Sequence, residues 1–166
     1  MDFSLTEEQE AFRDVVRRWV DAEAPKDLMR QLEADEENYP FPLWDKLKEQ
    51  SFFGIGIPEE FGGLGGDVMT QMIFARELAR TAGGLIWTWG VTSFAGAKSV
   101  GLYGTPEQKE RWLRPMAEGN LRVAISVTEP DGGTDVLGAM KTNAVKVDGG
   151  WKVNGAKMWT TGAKVA

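Results

Sequence analysis

TNAVKVDGGWKVNGAKMWTT, residues 142–161, is the stretch on which the fold turns. Val145 and Val147, then Trp151 and Val153, alternate with other residues on either side of Asp148-Gly149-Gly150. A period of two, broken by an Asp-Gly turn, predicts a β-hairpin. Just upstream, LRVAISVTEP at 121–130 is rich in branched residues and predicts a further strand. Within KMWTT, an extended backbone would set Trp159 and Thr161 two apart on one side.

Upstream of this region the period is helical. Phe12, Val15, Val16, Trp19 and Val20 follow i, i+3, i+4, i+7, i+8, one apolar face, with Ser4 or Thr6 as cap and Pro25 as stop. Pro42 opens a second helix with Trp44 and Leu47 on one face, and Gly54 ends that segment. In DVMTQMIFARELARTAG, Met69, Met72, Ile73 and Leu78 are expected to point inward, with Gly83-Gly84 as the stop. LIWTWGVTSFAGAKSVGLYG is apolar enough to predict a buried central helix. TPEQKERWLRPMAEGN carries Thr105, Pro106 and Gln108 in capping-box order. Helices followed by strands, without alternation, predict an α+β fold in separate layers. The boundary falls near Asn120, giving a helical domain over 1–120 and a partial β domain over 121–166. Three strands at most leave open edges and little core. The chain therefore reads as the N-terminal part of a longer protein, or as one that another chain completes.

Composition narrows the chemistry. The chain has 166 residues and a formal charge of −6, which argues against binding to a nucleic-acid backbone. No apolar run approaches the ~20 residues of a membrane helix, and the acidic start MDFSLTEEQE shows no secretory leader. A cytoplasmic location is expected. With no cysteine and no histidine, disulfides, thiolate or Ser-His-Asp catalysis and the usual zinc sites are excluded. Proton chemistry falls to carboxylates, lysine, tyrosine or a cofactor. Twenty glycines and seven tryptophans suit a planar ligand, and equally an ordinary compact domain.

Three stretches invite a functional reading. GIGIPEEFGGLGG has Glu59 where a dinucleotide fingerprint needs glycine, so it reads as a structural loop. Trp87, Val91 and Ala95 share a helix face, either as a core stripe or as the wall of an apolar slot. VTEPDGGTD, 127–135, leaves its strand through Pro130 and Gly132-Gly133. It is either a connection or a loop that offers N–H groups and the Thr128 and Thr134 hydroxyls to a heterocycle or phosphate. Trp159 is either a core tryptophan or a stacking surface beside Thr161.

SLTEEQEAFRDVVRRWV, IPEEFGGLGGD, YGTPEQKERWLRPMAEG, ISVTEPDGGTDVLGAMKTNAVK and WKVNGAKMWTTGAK, in this order and spacing, resemble the N-terminal part of the acyl-CoA dehydrogenase flavoproteins. The resemblance covers nearly the whole chain. It implies a helical N-terminal domain, a β-barrel-like middle domain that starts here, and a C-terminal helical bundle outside this chain. It implies FAD as cofactor and α,β-dehydrogenation of an acyl-CoA thioester. It further implies an electron-transfer flavoprotein or similar acceptor, and a homotetramer. Matched by position, Ile125, Val127 and Thr128 would line the flavin and bond its polar edge. Thr134 would lie near its diphosphate and the CoA arm, Trp159 would cover one face, and Thr161 would bond near the reactive nitrogen. Trp87, Val91 and Ala95 would fall on the acyl-pocket helix. Thr160 and the ending GAKVA depart from the family pattern. No residue matches the family's catalytic glutamate, so the resemblance names no base, and Glu129 is expected to be structural. A same-fold flavin oxidase or monooxygenase, or a non-catalytic short subunit, are the alternatives.

Overall fold

The computed structural model describes residues 4–36, 38–81 and 83–166. Helix α1 spans Glu7–Glu23, α2 Lys26–Ala34, α3 Phe41–Glu49 and α4 Val68–Ala79. A central rod follows: α5 over Trp87–Gly90, a π-helical segment over Val91–Gly96 and α6 over Ala97–Tyr103. Then come α7, Pro106–Ala117, a short α8, Val136–Ala139, and two strands, β1 Asn143–Val147 and β2 Gly150–Asn154. The order is the expected one, mostly helix and then a hairpin.

Local chemistry explains the helix ends. Thr6 with Gln9, and Thr105 with Gln108, form reciprocal capping boxes, each satisfying backbone donors that a helix start leaves unpaired. Asp67 caps α4 by accepting from Thr70 N at 2.8 Å. Pro25 precedes α2, where its missing N–H costs nothing.

The core is helical and aromatic. Val16, Val20, Met29, Leu43, Leu47, Phe53 and Phe74 are fully buried around Trp89. The α1 and α4 helices are joined by a buried carboxylate: Glu77 accepts from Arg17 Nε at 3.0 Å and Nη2 at 2.9 Å. The Arg17 hydrogen bonds hold the Glu77 carboxyl below the usual carboxylate range against the opposing effect of burial. Two periodic expectations need correcting. Val15 is exposed on α1, and Met69 and Met72 are exposed on α4, whose inner face uses Gln71, Ile73, Phe74, Glu77 and Leu78 instead. The inner stripe of α4 thus contains two polar residues, which apolar periodicity does not register; Gln71 Nε2 donates to the Ile55 carbonyl at 3.3 Å.

The glycine-rich stretch 54–66 is a structural loop that closes on its own backbone. Gly56 N donates to Gly65 O at 2.6 Å, Leu64 N to Gly54 O at 2.8 Å and Gly65 N to Ile57 O at 2.9 Å. A Cβ on Gly63 would collide with the Ile57 carbonyl, so close backbone approach accounts for that glycine.

The second part of the chain is open. Strands β1 and β2 pair antiparallel with Val147 opposite Gly150, and every residue of both is exposed. Among the described residues the expected strand at 121–129 does not form, since no neighbouring strand offers it a full ladder. Instead 121–123 runs along the π segment, with Val123 N donating to the Thr92 hydroxyl at 3.2 Å. Arg122 lies over the Phe41 and Trp44 rings at 5.0 and 5.3 Å and donates through Nε to Val165 O at 2.8 Å. These contacts fix the second part against the helices.

Candidate functional site

Two irregular segments, 125–129 and 157–161, lie side by side. Met158 N donates to Thr128 O at 2.8 Å, and the Ser126 and Thr160 hydroxyls are 3.0 Å apart. Pairing 128 with 158 and 126 with 160 is an antiparallel register, which brings Ile125 opposite Thr161. Lys157 Nζ adds a cross-link, donating to Val127 O at 3.0 Å and to Glu129 Oε1 at 2.8 Å.

Glu129 is the anchor of this arrangement. It is buried, and it accepts from Lys141 N at 2.6 Å and Thr142 N at 2.9 Å as well as from Lys157. Lys157 first, then Thr142 and the Lys141 backbone, hold its carboxyl far below the usual range, at about 2. A carboxylate so spent on fixed donors is not a general base. Sequence reasoning did not find Lys157 or the Ser126–Thr160 pair. The only available signal was the lysine two residues before Trp159.

Trp159 interrupts the extended backbone, and among the described residues the expected strand does not form. Trp159 has φ 57°, in the left-handed region that a bulky residue rarely adopts. Its indole is 83% exposed. Trp159 is therefore a presented ring, not a core tryptophan.

Trp87, Val91 and Ala95 on the rod, with Ile125 and Thr161 across from them, line one cleft of about 250 Å³. Val127 and Thr128 face a separate hollow of about 10 Å³ under the 129–140 turn, barely the size of one water. Thr134 and Trp159 line neither and are exposed. So five of the nine sequence-predicted residues are brought together in one cleft. The Thr128 and Thr161 hydroxyls have no hydrogen-bond partner among the described residues. Hydroxyl donors and an exposed indole are the kinds of group a flavin ring requires, so the chemistry of these residues fits that group, although Thr161 borders the cleft, Thr128 the small hollow and Trp159 neither.

The fold is a mostly helical domain with an attached β-hairpin, and the apolar slot lies between the central rod and the segments that carry Ile125 and Thr161. Residues 6–120 match the model of the acyl-CoA dehydrogenase N-terminal domain. The short-chain-specific acyl-CoA dehydrogenase of Clostridium acetobutylicum is 36% identical over 100% of this chain and 43% of its own. The CarC subunit of the caffeyl-CoA reductase–Etf complex of Acetobacterium woodii is 34% identical over 95% of this chain and 41% of its own. A structure of glutaryl-CoA dehydrogenase with glutaryl-CoA superimposes with a TM-score of 0.87 at 28% identity, covering 100% of this chain and 42% of that one. The chain belongs to the acyl-CoA dehydrogenase family, whose members are FAD-dependent oxidoreductases. It spans about 43% of the length of the short-chain-specific relative. Among the described residues no helix is long and apolar enough to cross a membrane.

Proposed function

We propose that these residues form the flavin- and acyl-facing part of an FAD-dependent enzyme that introduces an α,β double bond into an acyl-CoA thioester in the cytoplasm. The observation behind this reading is the single cleft shared by Trp87, Val91, Ala95, Ile125 and Thr161. An acyl chain would lie along Trp87, Val91 and Ala95. Ile125, Val127, Thr128 and Thr161 would face the flavin, Trp159 would cover it, and Thr134 would meet the diphosphate and the CoA arm. When bound, FAD would supply the hydride acceptor. The chain's contribution is donors that favour negative charge on the reduced ring, and apolar walls that exclude water. None of the five cleft residues titrates, so the proton acceptor must come from elsewhere in the assembled enzyme. On this reading 1–120 is the helical domain and 121–166 begins the middle domain. An electron-transfer flavoprotein or similar partner would reoxidise the cofactor, as the Etf complex containing the CarC relative suggests, and the working unit would be a homotetramer.

The test uses the protein isolated from its own cells, with whatever chain or subunit accompanies these residues. Anaerobic addition of saturated acyl-CoA thioesters should bleach a bound flavin and yield the 2-enoyl product. A flavin-free protein, or a flavin that no thioester reduces, would refute the reading. Trp159→Gly separates site from fold. Releasing a left-handed tryptophan recovers about 1 kcal/mol, roughly matching the extra chain entropy that glycine loses. Thermal stability should stay within a few degrees of the parent while FAD affinity falls. An unchanged affinity would remove Trp159 from the site.

A further inference from the structure

The cleft has two walls. Val91 and Ala95 belong to the rod, and Ile125 and Thr161 to the irregular segments across from it. Those segments are bonded to each other, through Met158 N to Thr128 O and through the Ser126 and Thr160 hydroxyls. A cleft keeps its width only if its two walls are also tied together. Among the described residues the hydrogen bond that joins 121–129 to the rod is the one from Val123 N to the Thr92 hydroxyl, at 3.2 Å.

Thr92 sits in the π-helical segment Val91–Gly96, between the two wall residues in sequence. There the backbone bonds reach one residue further than in an α-helix, with Ala97 N donating to Thr92 O. Ser99, in α6, shows the usual behaviour of a helical hydroxyl, bonding back to its own helix at Ala95 O at 2.8 Å. The Thr92 hydroxyl instead offers an acceptor to another segment, and at 2% exposed it does so away from competing water. Gly96 completes the contact. A Cβ there would come within 2.9 Å of Val123 Cγ1 and 3.0 Å of its Cβ, so glycine lets Val123 close on the rod. Thr92 itself does not line the cleft. It acts on the site through Val123, and Ile125 is two residues further on.

We propose that Thr92 is a positioning residue, whose hydroxyl, together with the space left by Gly96, fixes the segment 123–128 against the rod. The π-helical turn thus supplies one wall of the cleft and the tether of the other. That Ile125, Val127 and Thr128 of the tethered segment face a flavin rests on the proposed function. The tether itself does not.

The test uses the protein with whatever chain or subunit accompanies these residues in its own cells, as parent, Thr92→Val, Thr92→Ser and Gly96→Ala. Valine keeps the branched shape but accepts no hydrogen bond, and serine keeps the acceptor. Alanine at 96 pushes Val123 away and leaves the Thr92 hydroxyl in place. Amide exchange at Val123 should accelerate roughly tenfold or more in Thr92→Val and Gly96→Ala, with the Ile125 methyl NMR signal displaced. FAD affinity should fall in the same two variants and the visible spectrum of the bound flavin should shift. Thr92→Ser should match the parent in all four readouts, and amides of α1 and α4 should stay protected throughout. If Thr92→Val does not fold, Gly96→Ala and Thr92→Ser decide. Faster exchange at Val123 with flavin affinity and spectrum unchanged would overturn the positioning role, as would a Thr92→Ser protein that behaves like Thr92→Val. In a protein that holds no flavin, a displaced Ile125 signal would uphold the tether and count against the proposed function, and an unmoved one would overturn the tether as well.

Discussion

A Trp89→Ala substitution is expected to destabilise the chain by about 3–5 kcal/mol, the range for truncating a fully buried large aromatic. Trp89 is 1% exposed and stands at the junction of the helical core. Its ring meets Phe74 at 4.9 Å, Phe74 meets Phe52 at 4.9 Å, and Phe52 meets Trp19 edge-on at 4.8 Å. One aromatic chain thus joins α1, the turn after α3, α4 and α5. Alanine would leave a cavity bounded by three helices that cannot all close on it. It would also leave the Phe52 carbonyl without its 3.0 Å donor. Trp89→Phe keeps most of the volume while removing the N–H and part of the ring, and should cost less than alanine, about 1–3 kcal/mol. Urea unfolding followed by far-UV circular dichroism measures both. A Trp89→Ala loss under about 1 kcal/mol would mean that this aromatic chain is not the centre of the core. Because a domain's whole stability is about 5–15 kcal/mol, the full effect would leave the candidate cleft on an unsteady scaffold, since Trp87 is two residues away on the same helix.

The helical half was legible because its signals are local. Thr105 sits three residues before Gln108, a spacing that marks one helix start, while the sequence leaves the first start between Ser4 and Thr6 and the structure settles it on Thr6 with Gln9. Periodicity placed Val16, Val20 and Leu78 inside, but it erred at Val15, Met69 and Met72. Hydrophobicity ranks residues without knowing which face a neighbour covers, and Glu77 enters the core only because Arg17, sixty residues earlier, meets it. The second half depends on long-range contacts. The family resemblance implies a flavin-facing role for Ile125 and Thr161, and the structure brings the two to one cleft beside the 126–160 and 128–158 contacts. Branched residues suggested a strand at 121–130, and KMWTT read as extended, yet a strand needs partners on its edges, and β-propensity does not say whether they exist. The left-handed Trp159 and the π segment at Val91–Gly96 had no sequence signal at all.

Glu129→Gln should loosen the base of the hairpin selectively and remove its acid sensitivity. The carboxylate ties three separate points, the backbone at Lys141 and Thr142 and the ammonium of Lys157, to the end of the 125–129 segment. Charge-assisted bonds are about twice as strong as neutral ones, and a glutamine has only one acceptor oxygen where three donors converge. Amide exchange at Lys141 and Thr142 should accelerate roughly tenfold or more, with little change in the helices. The pH dependence follows from the direction of the shift. The folded carboxyl lies at about 2, below its ordinary value of 4.5. A depressed carboxylate contributes stability that is fully present above its unfolded value and disappears as pH falls through its folded value. Exchange protection at Lys141 and Thr142, corrected for intrinsic rates, should therefore hold above about pH 4.5 and decline between there and about pH 2. In Glu129→Gln it should be low and flat across the same window. Residues of α1 and α4 serve as the internal control, since their acid response belongs to Glu77 and Arg17. Equal acid loss at Lys141 in parent and variant would show that Glu129 does not hold the hairpin, and with it the segment that sets Ile125 opposite Thr161 would lose its anchor.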